Sequence, residues 1–207
     1  MLVYLHGFAS GPGSTKATWF RERLATMGRE LVVPDLAPDF TAMTVTTQLA
    51  IVEPLLPAVL LGSSLGGYLA ALAAERWPAR VRALVLLAPA VGFLARWEAR
   101  VGPEGMAEWR ANDTIPVHHY GTGREEPLGI GLIDDAARYP AMPDPRCPTL
   151  VLAGRHDDAV PLADVERFAT ARPGRELVVY DTGHELIDVL EPMWERITRF
   201  LGGLGLL

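Results

Sequence analysis

The chain has 207 residues, of which 49% are hydrophobic and 21% charged, the balance of a folded protein long enough to bury a core of its own. A net charge of −6 excludes a basic face for a nucleic acid, and the single cysteine, Cys147, excludes an internal disulfide and a cysteine-held metal. No apolar stretch reaches the roughly 18 residues of a membrane span and no basic leader precedes Leu2, so a cytoplasmic protein with no membrane partner is expected.

In chain order, residues 2–5 read as a short buried strand that ends in His6-Gly7-Phe8. A Gly/Ser/Pro loop follows, then a helical pattern over 15–27 with Ser14 as its N-cap. Residues 31–33 form a second strand, 44–56 a helix interrupted by Pro54 and Pro57, and 58–61 a third strand. A helix over 65–77 and a strand over 81–87 complete the first half. Strands apolar on both faces, alternating with helices, belong to a mostly parallel central sheet with helices on both faces.

The rhythm breaks between about residues 91 and 146, where the pattern predicts a hairpin of 115–120 with 128–133 across Gly121-Thr122-Gly123. An excursion this long inside a domain is expected to act as a cap, lid or binding surface. Alternation returns with a strand at 149–153, a helix at 162–171, a strand at 176–180, a helix at 185–201 and a flexible tail from Gly202. The expected architecture is therefore α/β, one domain with its core in 1–90 and 147–201 and a cap-like insertion at about 91–146. Cys147, at the start of a strand, is expected to be a buried structural thiol.

Within this frame Gly62-Ser63-Ser64-Leu65-Gly66 is a G-x-S-x-G pentapeptide between a strand and a helix, the context of a nucleophile elbow. A serine hydroxyl needs a base, and the base needs a carboxylate to hold its tautomer. On a parallel sheet these groups collect in the loops at the carboxyl ends of the strands. The penultimate strand leads into Gly154-Arg155-His156-Asp157-Asp158, and the last into Asp181-Thr182-Gly183-His184. Asp157, third after the glycine, is the expected acid and His184 the expected base, while Asp158 caps the turn or faces water. His156 is read as a rim residue, and Asp181 and Asp188 as solvated. The chain order Ser64, Asp157, His184 is that of an α/β-hydrolase. Two backbone N–H groups must hold the oxyanion, and those of Leu65 and Phe8 are placed to do so, with His6 bracing the loop.

Tyr4-Leu5-His6-Gly7-Phe8-Ala9-Ser10 with Ser14 and Lys16, together with Gly62 to Tyr68, resembles the small bacterial α/β-hydrolases of the YqiA/YcfP-like esterase group. The resemblance covers the core and not the insertion. It implies an α/β-hydrolase fold, hydrolysis of a small-molecule carboxylic ester or thioester in the cytoplasm, no cofactor, and the nucleophile, acid and base at Ser64, Asp157 and His184. Lys16 matches a lysine of that group but reads as a solvated helix residue. Phe93, Trp97, Met106 and Trp109 are expected to line an apolar substrate pocket. His118 and His119 lack the neighbouring carboxylates of a metal site. The expected activity is that of a serine esterase. An acyl-CoA thioesterase served by Arg96, Arg100, Arg110 and Arg124, an aminopeptidase-type amidase, and a binding protein on a hydrolase scaffold are the competing expectations.

Overall fold

The computed structural model describes residues 1–207. Its strands are β1 (Leu2–Leu5), β2 (Leu31–Val32), β3 (Ala58–Ser63), β4 (Val81–Leu87), β5 (Thr114–His119), β6 (Arg124–Gly129), β7 (Thr149–Gly154) and β8 (Arg175–Tyr180). Its helices are α1 (Thr15–Thr26), α2 (Val45–Val52), α3 (Leu65–Arg76), α4 (Phe93–Asn112), α5 (Gly131–Ala136), α6 (Leu162–Thr170) and α7 (Leu190–Gly203), with a 3-10 turn at Glu53–Leu55 after α2.

Six strands form an all-parallel sheet in the order β2-β1-β3-β4-β7-β8. Successive side chains of a strand point to opposite faces, and here both faces are covered. Val3, Leu5, Leu60, Leu84, Leu86 and Val151 pack into one core with α2, α3 and α6. Leu2, Tyr4, Val59, Leu61, Val85 and Leu152 pack into a second core with α1 and α7. The expected sheet is thus borne out, and its order explains where a site can lie. From β1 the chain goes to β2 on one side and to β3 on the other, so the loops after β1 and β3 diverge and leave a crevice at their carboxyl ends.

The stretch between β4 and β7 departs from the sequence reading. Residues 93–112 are helical where no helix was expected; the helix bends at Gly102 (φ 74°), and Pro103 opens its second half, where a missing N–H costs nothing. The hairpin exists, but its second strand is Arg124–Gly129 rather than 128–133. Thr122 and Gly123 both donate to the His119 carbonyl, which closes the turn so tightly that pairing must start at Arg124. Leu132, Ile133 and Ala136 then fall on one side of α5 and are buried. The polar run Arg124-Glu125-Glu126 has no strand pattern of its own and is extended only because β5 pairs with it.

Three smaller expectations also change. Ser14 precedes α1, but its hydroxyl makes no cap and is buried without a partner. The last helix begins at Leu190, because Leu186 takes φ +54° to bury its side chain in the second core and so breaks the helical path. The tail is not free: the Leu206 amide donates to Leu201 and both terminal leucines pack on that core. No helix is long and apolar enough to cross a membrane.

Candidate active site

Ser64 sits between β3 and α3 with φ 53° and ψ −117°, a region that non-glycine residues avoid at a cost of about 1–3 kcal/mol. Its surroundings hold it there. The Ser64 amide donates to Leu87 O on β4 at 2.9 Å, and the Ser64 carbonyl accepts from Gly67, Tyr68 and Ala90. The flanking residues must be glycine on steric grounds. A Cβ at Gly62 would lie 2.4 Å from Gly66 O, and one at Gly66 would lie 2.1 Å from Leu5 O, so β1, β3 and α3 meet backbone to backbone.

The loops after β7 and β8 are joined in the same manner. A Cβ on Gly154 would fall 2.4 Å from Gly183 O, and the His156 amide donates to Thr182 O at 2.9 Å. This places Asp157 beside His184. Asp157 Oδ1 accepts the Ala159 and Val160 amides at 2.9 and 2.7 Å, which turns Oδ2 toward His184 Nδ1 at 2.8 Å. His184 Nε2 lies 3.1 Å from Ser64 Oγ. The Asp157 side chain is 2% exposed and that of His184 19%, so water is excluded from the carboxylate and reaches the imidazole. Asp158 is exposed, and His156 is drawn away from Ser64 to Asp181 at 2.7 Å.

Since Leu36 N–H can only donate, His6 Nε2 must accept it, at 3.1 Å, and Nδ1–H donates to Gly7 O at 3.0 Å. His6 is 3% exposed, and burial pushes its pKa below the usual value, which keeps the ring in this neutral form. The brace holds Gly7 against the Ser64 Cβ and leaves the Phe8 amide without a protein partner. The Leu65 amide, first in α3, is likewise free, and the helix directs its positive end at the same point. A group between Ser64 Oγ and these two amides would meet a hydroxyl on one side and two N–H donors on the other.

Over Ser64 lies a cleft of about 1340 Å³. One wall is aromatic. Phe8 meets Trp97 edge to face at a centroid distance of 5.4 Å and Phe40 at 5.7 Å, and Phe40 meets His119 at 4.8 Å. Phe93 and Trp97 line the cleft as expected from their types, but Met106 and Trp109 do not. Trp109 is fully buried and donates its indole N–H to Leu128 O at 3.1 Å, so it fastens α4 to β6. Met106 packs against the same core. Neighbours on a strand face opposite ways, and His118 meets Tyr120 edge to face while His119 faces Phe40. Cys147 is partly buried, and desolvation pushes its thiol up.

Lys16 is the residue that the sequence misplaced. It lines the cleft, is 9% exposed, and its Nζ donates to Glu185 O at 2.6 Å. Burial pushes its pKa down, against the pull of Glu185. Two signals were visible: it matches a lysine of the group that the chain resembles, and it is the only lysine in a chain whose other basic residues are arginine.

The uncharacterised protein family UPF0227 matches over residues 1–202. No curated protein matches the chain. Among solved structures, a protein of Agrobacterium vitis superposes with a TM-score of 0.82 at 23% identity, over 96% of this chain and 87% of that one. The mouse alpha/beta hydrolase domain-containing protein 10 gives 0.79 at 21% identity, over 98% and 90%. Est1E from Butyrivibrio proteoclasticus gives 0.77 at 21%, over 97% and 86%. The fold is that of the α/β-hydrolases.

Proposed function

The chain belongs to UPF0227, and on that fold we propose that it is a serine hydrolase that cleaves small-molecule carboxylic esters. One observation carries the reading: Ser64, His184 and Asp157 form a continuous hydrogen-bonded chain, from three strand ends, beside two unpartnered amides. His184 Nε2 takes the proton as Ser64 Oγ bonds to the ester carbonyl carbon, and the carbonyl oxygen becomes an oxyanion held by the Phe8 and Leu65 amides. The C–O bond to the alcohol then breaks, and His184 hands the proton to the departing oxygen. Water, deprotonated by His184, attacks the acyl-enzyme by the same path and releases the acid and Ser64. Asp157 keeps Nδ1 protonated throughout, and the two oxyanion donors contribute about 3–4 kcal/mol each to the transition state. Phe93 and Trp97, with Phe8 and Phe40, form the surface for the acyl or alcohol group.

The charge pattern favours an ester over acyl-CoA. Of the four arginines that could have formed a basic patch, Arg96 is held by Asp164 at 3.0 Å, Arg110 by Asp134 at 2.6 Å and Arg124 by Glu126 at 2.8 Å. Only Arg100 faces the cleft without a carboxylate partner, too little for a nucleotide with several phosphates. The test is turnover of p-nitrophenyl esters of increasing acyl length, alongside acyl-CoA and aminoacyl amides. Ser64→Ala is expected to fold normally and lose turnover, and undiminished hydrolysis in that variant would exclude the assignment.

A further inference from the structure

The loop that carries His184 has almost no hydrogen bonds of its own. Between Thr182 O, which accepts from His156, and Val189 O, which accepts from Met193, the main chain of residues 183–188 makes no hydrogen bond to another main-chain group. Its apolar anchor is Leu186, buried at φ +54°. Side chains tie it at His184, to Asp157, and at Asp188, which accepts from the Thr182 hydroxyl; its main chain has one polar contact, from Lys16 Nζ to the carbonyl of Glu185, the residue directly after His184. The donor comes from the first turn of α1, on the far side of the cleft in sequence, and reaches the loop along a buried stem whose side chain is 11% exposed. The Glu185 carboxylate lies farther from the ammonium, at 3.6 Å, and is 73% exposed, so solvent screens it.

We infer that Lys16 is a positioning residue, whose ammonium holds the Glu185 carbonyl and so keeps His184 turned with Nε2 to Ser64 and Nδ1 to Asp157. This rests on the serine-hydrolase reading above. Without it the main chain beside His184 would rest on Leu186 and the Thr182–Asp188 bond alone, and misplacement by about 1 Å at a reacting group costs on the order of 100-fold. An ammonium suits the task because it is a compact charge with three donors on a flexible stem, whereas a guanidinium is a broad planar fork.

Lys16→Met tests it. The expected result is a fall in kcat, and in the rate at which a fluorophosphonate labels Ser64, of about 10- to 100-fold, with KM moved by less than about threefold. A downfield proton resonance of His184 Nδ1–H is expected in the wild type and is expected to broaden or vanish in the variant. Glu185→Ala keeps the carbonyl and removes the carboxylate, and is expected to lose less than about threefold. If Lys16→Met does not fold, Lys16→Gln, one atom too short to reach the carbonyl, takes its place with the same expectation. Labelling at the wild-type rate in a folded Lys16 variant would overturn the inference, as would a loss in Glu185→Ala equal to that in Lys16→Met. Turnover that survives Ser64→Ala would instead overturn the serine-hydrolase reading itself, so the two failures are distinct.

Discussion

The amide of Tyr120 donates to the carbonyl of Ala9 across 2.8 Å, tying the tip of the β5–β6 hairpin to the loop that presents Phe8. Ala9 sits at φ 51°, so that loop is bent sharply just past the Phe8 amide. The hairpin therefore does more than line the cleft: it pins the strand-end loop on one side while His6 braces it on another. Tyr120→Pro removes the donor and is expected to lower kcat by several-fold, about 1 kcal/mol of lost hold, with little change in melting temperature. Steady-state kinetics against thermal unfolding of the same preparation checks it.

The His6 brace depends on pH. The folded-state pKa of His6 lies below the 6.5 of the unfolded chain, so in the window beneath 6.5 the unfolded state binds the extra proton. Stability is then full above about pH 6.5 and declines as pH falls toward the folded-state value. Urea unfolding midpoints are expected to drop between about pH 7.5 and pH 5, and the part of the drop due to this group should be missing in His6→Asn. Identical pH slopes in the two proteins would remove His6 from the account.

At the elbow, Gly66→Ala would drive a methyl group to 2.1 Å from Leu5 O and 2.5 Å from His6 O, both main chain. Neither can yield without moving β1. The variant is expected to lose at least about 1–3 kcal/mol of stability and to fail in fluorophosphonate labelling. Gly202→Ala, with open space around it in α7, is expected instead to gain up to about 1 kcal/mol from helix propensity. Chemical denaturation of the pair separates steric from conformational effects.

Asp157→Asn keeps the shape of the acid and the two amides that hold it, but presents His184 with a group that favours the wrong ring tautomer. The expected loss in kcat is on the order of 10⁴-fold with the fold intact, as for the equivalent change in serine proteases. Near-wild-type turnover would shift the acid's role to another carboxylate, for which Asp158 is the neighbour to test.

The two tryptophans of α4 divide by what they touch. Trp109→Ala empties a fully buried site and strands the Leu128 carbonyl, at an expected cost of about 3–5 kcal/mol in unfolding experiments. Trp97→Ala opens the aromatic wall and is expected to change KM and acyl-length preference far more than stability. Equal stability losses in both would place Trp97 in the core rather than the cleft.

Much of this protein is legible in the order of its residues. Alternating apolar runs determine the parallel sheet, because a strand buried on both faces must be apolar throughout. Gly62 and Gly66 mark the elbow, because only glycine lets β1, β3 and α3 touch. Residues placed just after strands come together without further instruction, because every strand of a parallel sheet ends on the same side. For that reason Ser64, Asp157, His184 and Phe8 could each be named from spacing alone, and the fold holds them in one place.

What spacing could not determine were contacts whose partner is far away and whose signal is not periodic. The strand at 124–129 is polar and exists because β5 pairs with it. Trp97 and Trp109 have the same side chain on either side of the bend at Gly102, and only the direction each faces makes one a cleft wall and the other a core residue. Lys16 and Glu185 stand 169 positions apart, and a lysine at the start of a helix is solvated unless something packs over it. Local sequence carries chemistry and backbone geometry; burial, and with it the role of Lys16, is decided by which surfaces the folded chain brings together.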